Sequence, residues 1–436
     1  MKHWYEKPMR IAALQCNFEE GKTLEVIDKW AGCGFNVEQL FHPMADSYSA
    51  LFDIHQHGEI LKKYIKKARK NNLRIILYLN VHVLGPSLEK FKDKWSKRSL
   101  DGEYVKHYET YYGCCINSPW RDYFFSVLDS LKQFEIDGVF LDGPVVRECY
   151  CESCQERYKK EYGKELRKAK DTFEFYRKTM KDFLSQSYKK FKSSKPEGIF
   201  YTNLHVIHPS ASYIDLKEDL RYNDIVGTEG GFMFYNHPKN AYLFKPTIAA
   251  KVLEAVAPQK PRVIFMAADQ KPWSWYMHAP AETKLCIASS VANGSNIWYG
   301  LHSSTKLLDT PGGKAGVEMI RFLADNERYY ESTRSLARIA VMYSLETDRF
   351  HKASSSEESD FYSHGFQKDD LVGDFIEPFY GICDLLSRSG IPYDVVTDLE
   401  LSKEKLKRYD CILLPRCSCL SEKTLSVIKE YVFEGG

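Results

Sequence analysis

No run in the 436 residues approaches the roughly 18 successive apolar residues of a helical membrane span, so none is predicted. An excess of one charge is also missing. The 61 Lys and Arg nearly cancel the 59 Asp and Glu, so no overall field selects a nucleic acid or an acidic membrane as partner. The opening residues, Met1 to Pro8, lack the continuous apolar core of a secretion signal, and a cytoplasmic enzyme is the expectation. Also absent are a Gly-x-Gly-x-x-Gly after a strand, a phosphate-binding lysine loop, a His-Glu-x-x-His pair and a Gly-x-Ser-x-Gly elbow. Nucleotide and other organic cofactors, metalloprotease chemistry and serine-hydrolase chemistry therefore have no support.

What is present is ordinary for a globular chain in bulk and unusual in one place. Basic runs such as Lys62 to Lys70 read as solvated helix faces. Aromatics are plentiful, as they are both in cores and in sugar-binding clefts. The twelve cysteines are scattered except for Cys149-Tyr-Cys151-Glu-Ser-Cys154, which argues for reduced thiols and a metal rather than a disulfide framework.

Short runs rich in Val, Ile, Leu and Phe alternate with amphipathic stretches, the pattern of buried parallel strands under covering helices. Eight strands are predicted before residue 334: 10–15, 34–41, 73–79, 136–141, 198–204, 225–228, 262–267 and 296–299. Helices are predicted at 59–71, 119–134, 164–192, 240–257, 281–293 and 313–331. Right-handed crossovers then close a (β/α)₈ TIM barrel over residues 1–334. The pattern restarts at Ala337 to Tyr343, after which a Ser- and acid-rich stretch, His351 to Asp360, reads as a loop. A second α/β unit over 335–436 has its helix at 379–389 and further strands at 392–396 and 411–415. With so few strands laid down it reads as a truncated domain of a longer polypeptide.

Three thiols in six residues are soft ligands for one ion, and tetrahedral Zn²⁺ needs a fourth. Cys114 and Cys115 are the nearest candidates in sequence. An all-thiolate site leaves no open position for water or substrate, so this zinc would be structural.

Reactive groups of a barrel collect at the C-terminal ends of its strands. The fourth strand ends in Leu141-Asp142-Gly-Pro, and Asp142 is the candidate nucleophile; the sixth is followed by Glu229, the candidate acid/base. Asp224 and Asp269 also lie near strand ends, whereas Asp137 precedes its strand and belongs to the opposite end. Histidines stand after several strands: His42 after the second, His82 the third, His205 and His208 the fifth, His302 the eighth. Neutral imidazoles can donate to and accept from sugar hydroxyls. With Asn203, Asp269, Trp273 and Trp298 they form the candidate substrate site; Tyr78 and Trp275 are weaker members.

The segments Cys115-Ile-Asn-Ser-Pro-Trp-Arg121 and Cys149-Tyr-Cys-Glu-Ser-Cys154-Gln resemble the cysteine segments of family 42 glycoside hydrolases, the β-galactosidases with a zinc-binding cysteine cluster. That resemblance selects Cys115 as fourth ligand, with Cys149, Cys151 and Cys154. Leu386 to Val396, Tyr409 to Pro415 and Val432 to Gly436 resemble the same family's flavodoxin-like trimerisation domain, which implies a homotrimer. The chain departs from the family in having Leu141-Asp142 where those enzymes carry Asn-Glu, a departure that points away from β-galactosidase activity. Trp4 to Arg10, the Phe-Leu-Asp-Gly-Pro strand end and the cysteine run are together more similar to the hypothetical glycosyl hydrolase domain of family 151 α-L-fucosidases. The resemblance implies a retaining exo-glycosidase acting on an oligosaccharide or glycoside with a terminal α-L-fucose. An acid on strand six facing an Asp on strand four also resembles related α-glycosidase barrels. Two alternatives stand beside it: a β-galactosidase, and a non-catalytic carbohydrate-binding or assembly protein in which Asp142 and Glu229 lie too far apart to act on one bond.

Overall fold

Ile75, Ile76, Leu77, Tyr78 and Leu79 are each no more than 1% exposed, although successive strand residues point to opposite faces. Such a strand must be covered on both sides, by a barrel interior and by helices. The computed structural model describes residues 3–14, 24–40, 54–107, 110–144, 146, 148–204, 206–207, 209–232, 243–269, 276–302, 304–351 and 376–436. Within these, eight strands form one parallel sheet: β1 (Arg10–Leu14), β2 (Val37–Leu40), β3 (Arg74–Asn80), β4 (Gly138–Asp142), β5 (Ile199–Thr202), β6 (Val226–Thr228), β7 (Arg262–Ala267) and β8 (Asn296–Leu301). Their order is β5-β4-β3-β2-β1-β8-β7-β6, and the two ends meet at a single parallel bridge between Asn203 and Gly227. The sheet is thus a nearly closed (β/α)₈ barrel, as the sequence predicts.

The described barrel helices longer than one turn are α1 (Glu25–Cys33), α2 (Ile54–Lys70), α3 (Trp120–Ser130), α4 (Glu152–Tyr162), α5 (Phe173–Ser194), α6 (Lys245–Val256), α7 (Pro280–Ala292) and α8 (Pro311–Asp325). One prediction is corrected here. The helix expected over 164–192 begins only at Phe173, and a separate helix, α4, starts within the cysteine run, at Glu152, and stops at Gly163, whose left-handed φ of +66° caps it. Between β3 and α3 the chain also makes a small three-stranded antiparallel sheet from Val83–Leu84, Lys106–His107 and Tyr111–Gly113, which periodicity does not announce.

A smaller unit follows, with β9 (Ile339–Tyr343), α9 (Leu345–Phe350), α10 (Ile376–Arg388), β10 (Tyr393–Thr397), β11 (Cys411–Leu413) and α11 (Glu422–Phe433). Its three strands are parallel, in the order β10-β9-β11. A buried ion pair ties it to the barrel, Lys251 Nζ of α6 lying 2.8 Å from Asp394 Oδ1 of β10. Burial opposes the charge on Asp394, but Lys251, Ser335 and Tyr409 outweigh it and hold the carboxyl below its usual range.

The ends of the barrel are distinguished by their carboxylates. Asp137 sits at the N-terminal end, where it accepts hydrogen bonds from the Ile75 amide (2.9 Å) and Arg74 Nη1 (2.8 Å) and ties β3 to β4. Glu38 of β2 faces outward and is 1% exposed; it accepts from Trp30 Nε1 of α1 at 3.0 Å and from the Tyr64 hydroxyl of α2 at 2.7 Å. Burial pushes its carboxyl up to about 7 against the hydrogen bonds from Tyr64 and Trp30. A carboxyl raised on folding contributes stability that is complete below its unfolded value, near 4.5, and is lost as pH rises through about 7. Unfolding free energies of wild type and Glu38→Gln, measured by urea titration across that window, should diverge in the variant's favour by about 3 kcal/mol as pH rises. A pH-independent difference would show that Glu38 does not titrate in this range.

Candidate active site and thiol cluster

Asp142 is the last residue of β4, so its side chain emerges at the C-terminal mouth of the barrel. One oxygen accepts the hydroxyl of Tyr78, which projects inward from neighbouring β3. The other accepts Asn203 Nδ2 at 3.0 Å. The same nitrogen donates to Glu229 Oε1, 2.7 Å away. With one nitrogen 3.0 Å from Asp142 Oδ1 and 2.7 Å from Glu229 Oε1, those two oxygens are separated by at most the sum, 5.7 Å. The sequence suggested each of these four residues separately; Asn203 is the one that joins them, because it stands at the seam where β5 meets β6.

The two carboxyls differ in setting. Burial raises the pKa of Glu229, the charge of Asp142 adds to the rise, and Asn203, Lys245 and His302 only moderate it. Glu229 therefore holds its proton to higher pH than an ordinary glutamate does. Asp142 accepts two hydrogen bonds, one from the Tyr78 hydroxyl and one from the Asn203 amide.

His82 supports this strand end from behind. Its Nδ1 lies 3.1 Å from the backbone oxygen of Asp142, an atom that can only accept, so Nδ1 carries the proton. Burial lowers its pKa and keeps the ring neutral. Gly143 makes this approach possible: its φ is +63°, and a Cβ there would fall 2.5 Å from His82 Nδ1. Gly143→Ala should destabilise the fold by about 2 kcal/mol through both strain and clash, seen as a lower denaturation midpoint. A midpoint unchanged within error would mean that the ring moves aside without cost.

On the opposite wall, Asp269 follows β7 and is 2% exposed, and its Oδ1 lies 2.7 Å from Nδ1 of His302, which follows β8. His278, equally buried, enters the same wall and was not foreseen, since it stands in a loop with no periodic or motif signal. Trp298 is 4% exposed and lies edge-on to Phe265 inside the barrel, its ring pressed against Gly300. His42, His205, His208, Trp273 and Trp275 lie outside the described residues.

The thiols of Cys115, Cys149, Cys151 and Cys154 are all buried and lie within 4.8 Å of one another. Sγ of Cys115 is 3.5 Å from that of Cys154 and 3.6 Å from that of Cys151. A tetrahedral ion with metal–sulfur bonds of about 2.3 Å needs edges of about 3.8 Å, so the group can hold one with only slight expansion. Cys114 is buried outside the cluster, its amide donating to the backbone oxygen of His82 at 2.9 Å. Polar neighbours surround the thiols. Asn117 Nδ2 lies 3.3 Å from Cys154 Sγ, and Asn117 Oδ1 accepts from Arg157 at 2.7 Å. Tyr176 of α5 both accepts from the Cys149 amide (2.9 Å) and donates to its carbonyl (3.0 Å).

Residues 47–143 match the family model described as hypothetical glycosyl hydrolase 6. The match includes Cys115 and ends just past Asp142. No curated protein matches the chain. Among solved structures it is similar to α-L-fucosidase isoenzyme 2 from Paenibacillus thiaminolyticus, with a TM-score of 0.73 and 18% identity over 98% of this chain and 63% of that one. It is similar also to the β-galactosidase of Bacillus circulans sp. alkalophilus, with a TM-score of 0.74 and 14% identity over 100% of this chain and 71% of that one. The glycoside hydrolase domain of PgaB from Bordetella bronchiseptica matches 73% of this chain with 98% of its own length, at 13% identity and a TM-score of 0.52. The fold is that of a glycoside hydrolase, and the chain spans less than two thirds of the fucosidase's length. None of the helices among the described residues is long and apolar enough to cross a membrane.

Proposed function

We propose that this protein is a retaining exo-glycosidase that hydrolyses a terminal α-L-fucoside. The observation that carries the reading is the pair of carboxyls held by Asn203 with facing oxygens no more than 5.7 Å apart, the sum of the 3.0 and 2.7 Å bonds. Retaining enzymes separate their carboxyls by roughly 5 to 5.5 Å, whereas inverting ones leave roughly 6.5 to 9.5 Å for a water. Asp142 attacks the anomeric carbon while Glu229 passes its proton to the leaving oxygen. Glu229 then removes a proton from the water that displaces Asp142. Tyr78 and Asn203 orient the nucleophile, the neutral His82 holds the backbone of Asp142, and the Asp269–His302 pair forms part of the wall that sugar hydroxyls would meet.

The choice of fucoside rests on the likeness to the family 151 enzymes and on the Asp that ends β4. The likeness to β-galactosidases supports a second reading, a β-galactosidase, but that chemistry would need a Glu after β7, where this chain has Asp269 bound to His302. A panel of nitrophenyl glycosides decides between them. Release from the α-L-fucoside, with the α-anomer as first product by NMR, is expected. Turnover of the β-D-galactoside alone would move the chain to the second reading, and silence across the panel would favour a non-catalytic carbohydrate-binding or assembly protein.

In the same reading Cys115, Cys149, Cys151 and Cys154 hold a structural Zn²⁺, which supplies a crosslink and no chemistry at the sugar. The boundary near residues 334 and 335 separates the catalytic barrel from a flavodoxin-like unit that serves trimer formation. Sedimentation at micromolar concentration would test the trimer.

A further inference from the structure

The segment after β5 begins with Asn203, the residue that holds both carboxylates, and the smaller unit reaches across to grip it. Ser210 donates its amide to Asp348 Oδ2 at 3.0 Å and its hydroxyl to the Asp348 carbonyl at 3.0 Å. Asp348 is 8% exposed and stands on α9. Beside it Arg349 pairs with Glu174 of α5 at 2.7 Å and lies 4.9 Å over the ring of Phe173. A short helix such as α9 has little stability of its own, yet this one is pinned at its start. Asp398, at the end of β10, accepts the amides of Leu345 and Glu346, each at 3.0 Å, and the Ser344 hydroxyl at 2.9 Å. Thr347 exchanges two 3.0 Å bonds with the backbone of Cys419. Asp348 is therefore presented to Ser210 from a rigid support.

The other end of the gripped segment is held differently. Tyr213 has a left-handed φ of +56°, which a tyrosine adopts only when its surroundings impose it. Its ring packs 5.3 Å from Phe173 and 5.2 Å from Tyr176, the residue that brackets the backbone of Cys149. Ser210 and Tyr213 thus fasten one short turn to two bodies, the smaller unit and the wall of the thiol cluster.

We infer that Asp348 is a positioning residue for the active site: through Ser210 it fixes, from the smaller unit, the chain that follows Asn203. The smaller unit then has a task at the catalytic centre within one subunit, distinct from any in assembly. The role of Asn203 rests on the proposed function; the clasp does not, and the experiment separates them. In the full chain, Asp348→Ala should raise hydrogen–deuterium exchange at least tenfold from Asn203 to Ile214, with exchange in β10 and the melting temperature little changed. Fucoside kcat should fall at least tenfold with KM altered less than threefold, because the carboxylate bridge loosens more than the sugar pocket does. Asp348→Asn retains an oxygen for the Ser210 amide and should restore most of both. If Asp348→Ala fails to fold, Arg349→Ala, which removes the neighbouring contacts to Glu174 and Phe173, should give the same exchange pattern in milder form. Unchanged exchange in a folded variant overturns the clasp. Raised exchange with unchanged kcat overturns the positioning role. A wild type inactive on every glycoside would sink the proposed function, and the exchange result would still decide the clasp.

Discussion

Asp142→Asn should lower fucoside turnover by about a thousandfold, some 4 kcal/mol of transition-state stabilisation, while the melting temperature stays within a few degrees of wild type. The substitution keeps the size of the side chain and an acceptor oxygen for Tyr78 or Asn203, so the packing around β4 is retained. It removes the proposed nucleophile and, with it, a negative charge beside Glu229. Since that charge is one of the causes holding the Glu229 pKa up, residual activity should also show an alkaline limb displaced to lower pH. The sign follows from the acid's role: Glu229 must carry a proton to act, so activity falls as pH rises through its raised pKa, and lowering that pKa moves the fall toward acid. Loss of less than about tenfold, 1.4 kcal/mol, would remove Asp142 from the nucleophile role. A large loss with an unmoved alkaline limb would leave the nucleophile in place and show that the two carboxyls do not sense each other.

The parts of this site that could be read in the sequence are those that announce themselves locally. Asp142 ends an apolar run, and a buried parallel strand in a barrel directs whatever follows its last apolar residue to one face. The cysteines declare themselves by spacing, and the choice between Cys114 and Cys115 needed a family resemblance. The fold separates them because adjacent residues of extended chain point opposite ways, Cys115 toward the other thiols and Cys114 into the core. What stayed hidden depends on contacts between distant residues. Glu38 looks like one polar residue in a strand, and only the meeting of Trp30 and Tyr64 over it explains its burial. Asn203 could be placed near a strand end but not at the sheet's seam, which depends on where the barrel closes. Helix α4 escaped prediction because Lys-, Glu- and Arg-rich residues after Cys154 carry little apolar periodicity; the helix is held at Cys154 and Tyr158 rather than along a whole face.

The thiol cluster bears on these same distances, and its loss is the second large effect expected. Four thiols this close cannot all ionise without a cation: hydrogen bonds from Cys115, Cys151 and Cys154 favour Cys149 as the thiolate, while Cys149, Cys151 and Cys154 push Cys115 up. A bound Zn²⁺ would remove that conflict and crosslink the loop before α3 to the start of α4. Cys154→Ala should therefore cost about 3 to 5 kcal/mol and lower the melting temperature by about 5 to 10 °C. Zinc content by elemental analysis should fall from near one equivalent per chain to below about half. The cost should also be felt at the sugar site. Tyr176 is bonded to Cys149 on one side and packed on Tyr213 on the other, so slack in the cluster passes to the turn that Asp348 holds. A melting temperature lowered by less than about 1 °C would exclude the crosslink, and wild type with less than about half an equivalent of zinc would exclude this ion. If the variant loses zinc and stability yet keeps full turnover in its folded fraction, the cluster serves the fold alone, and the position of Asn203 depends on the smaller unit without help from the metal side.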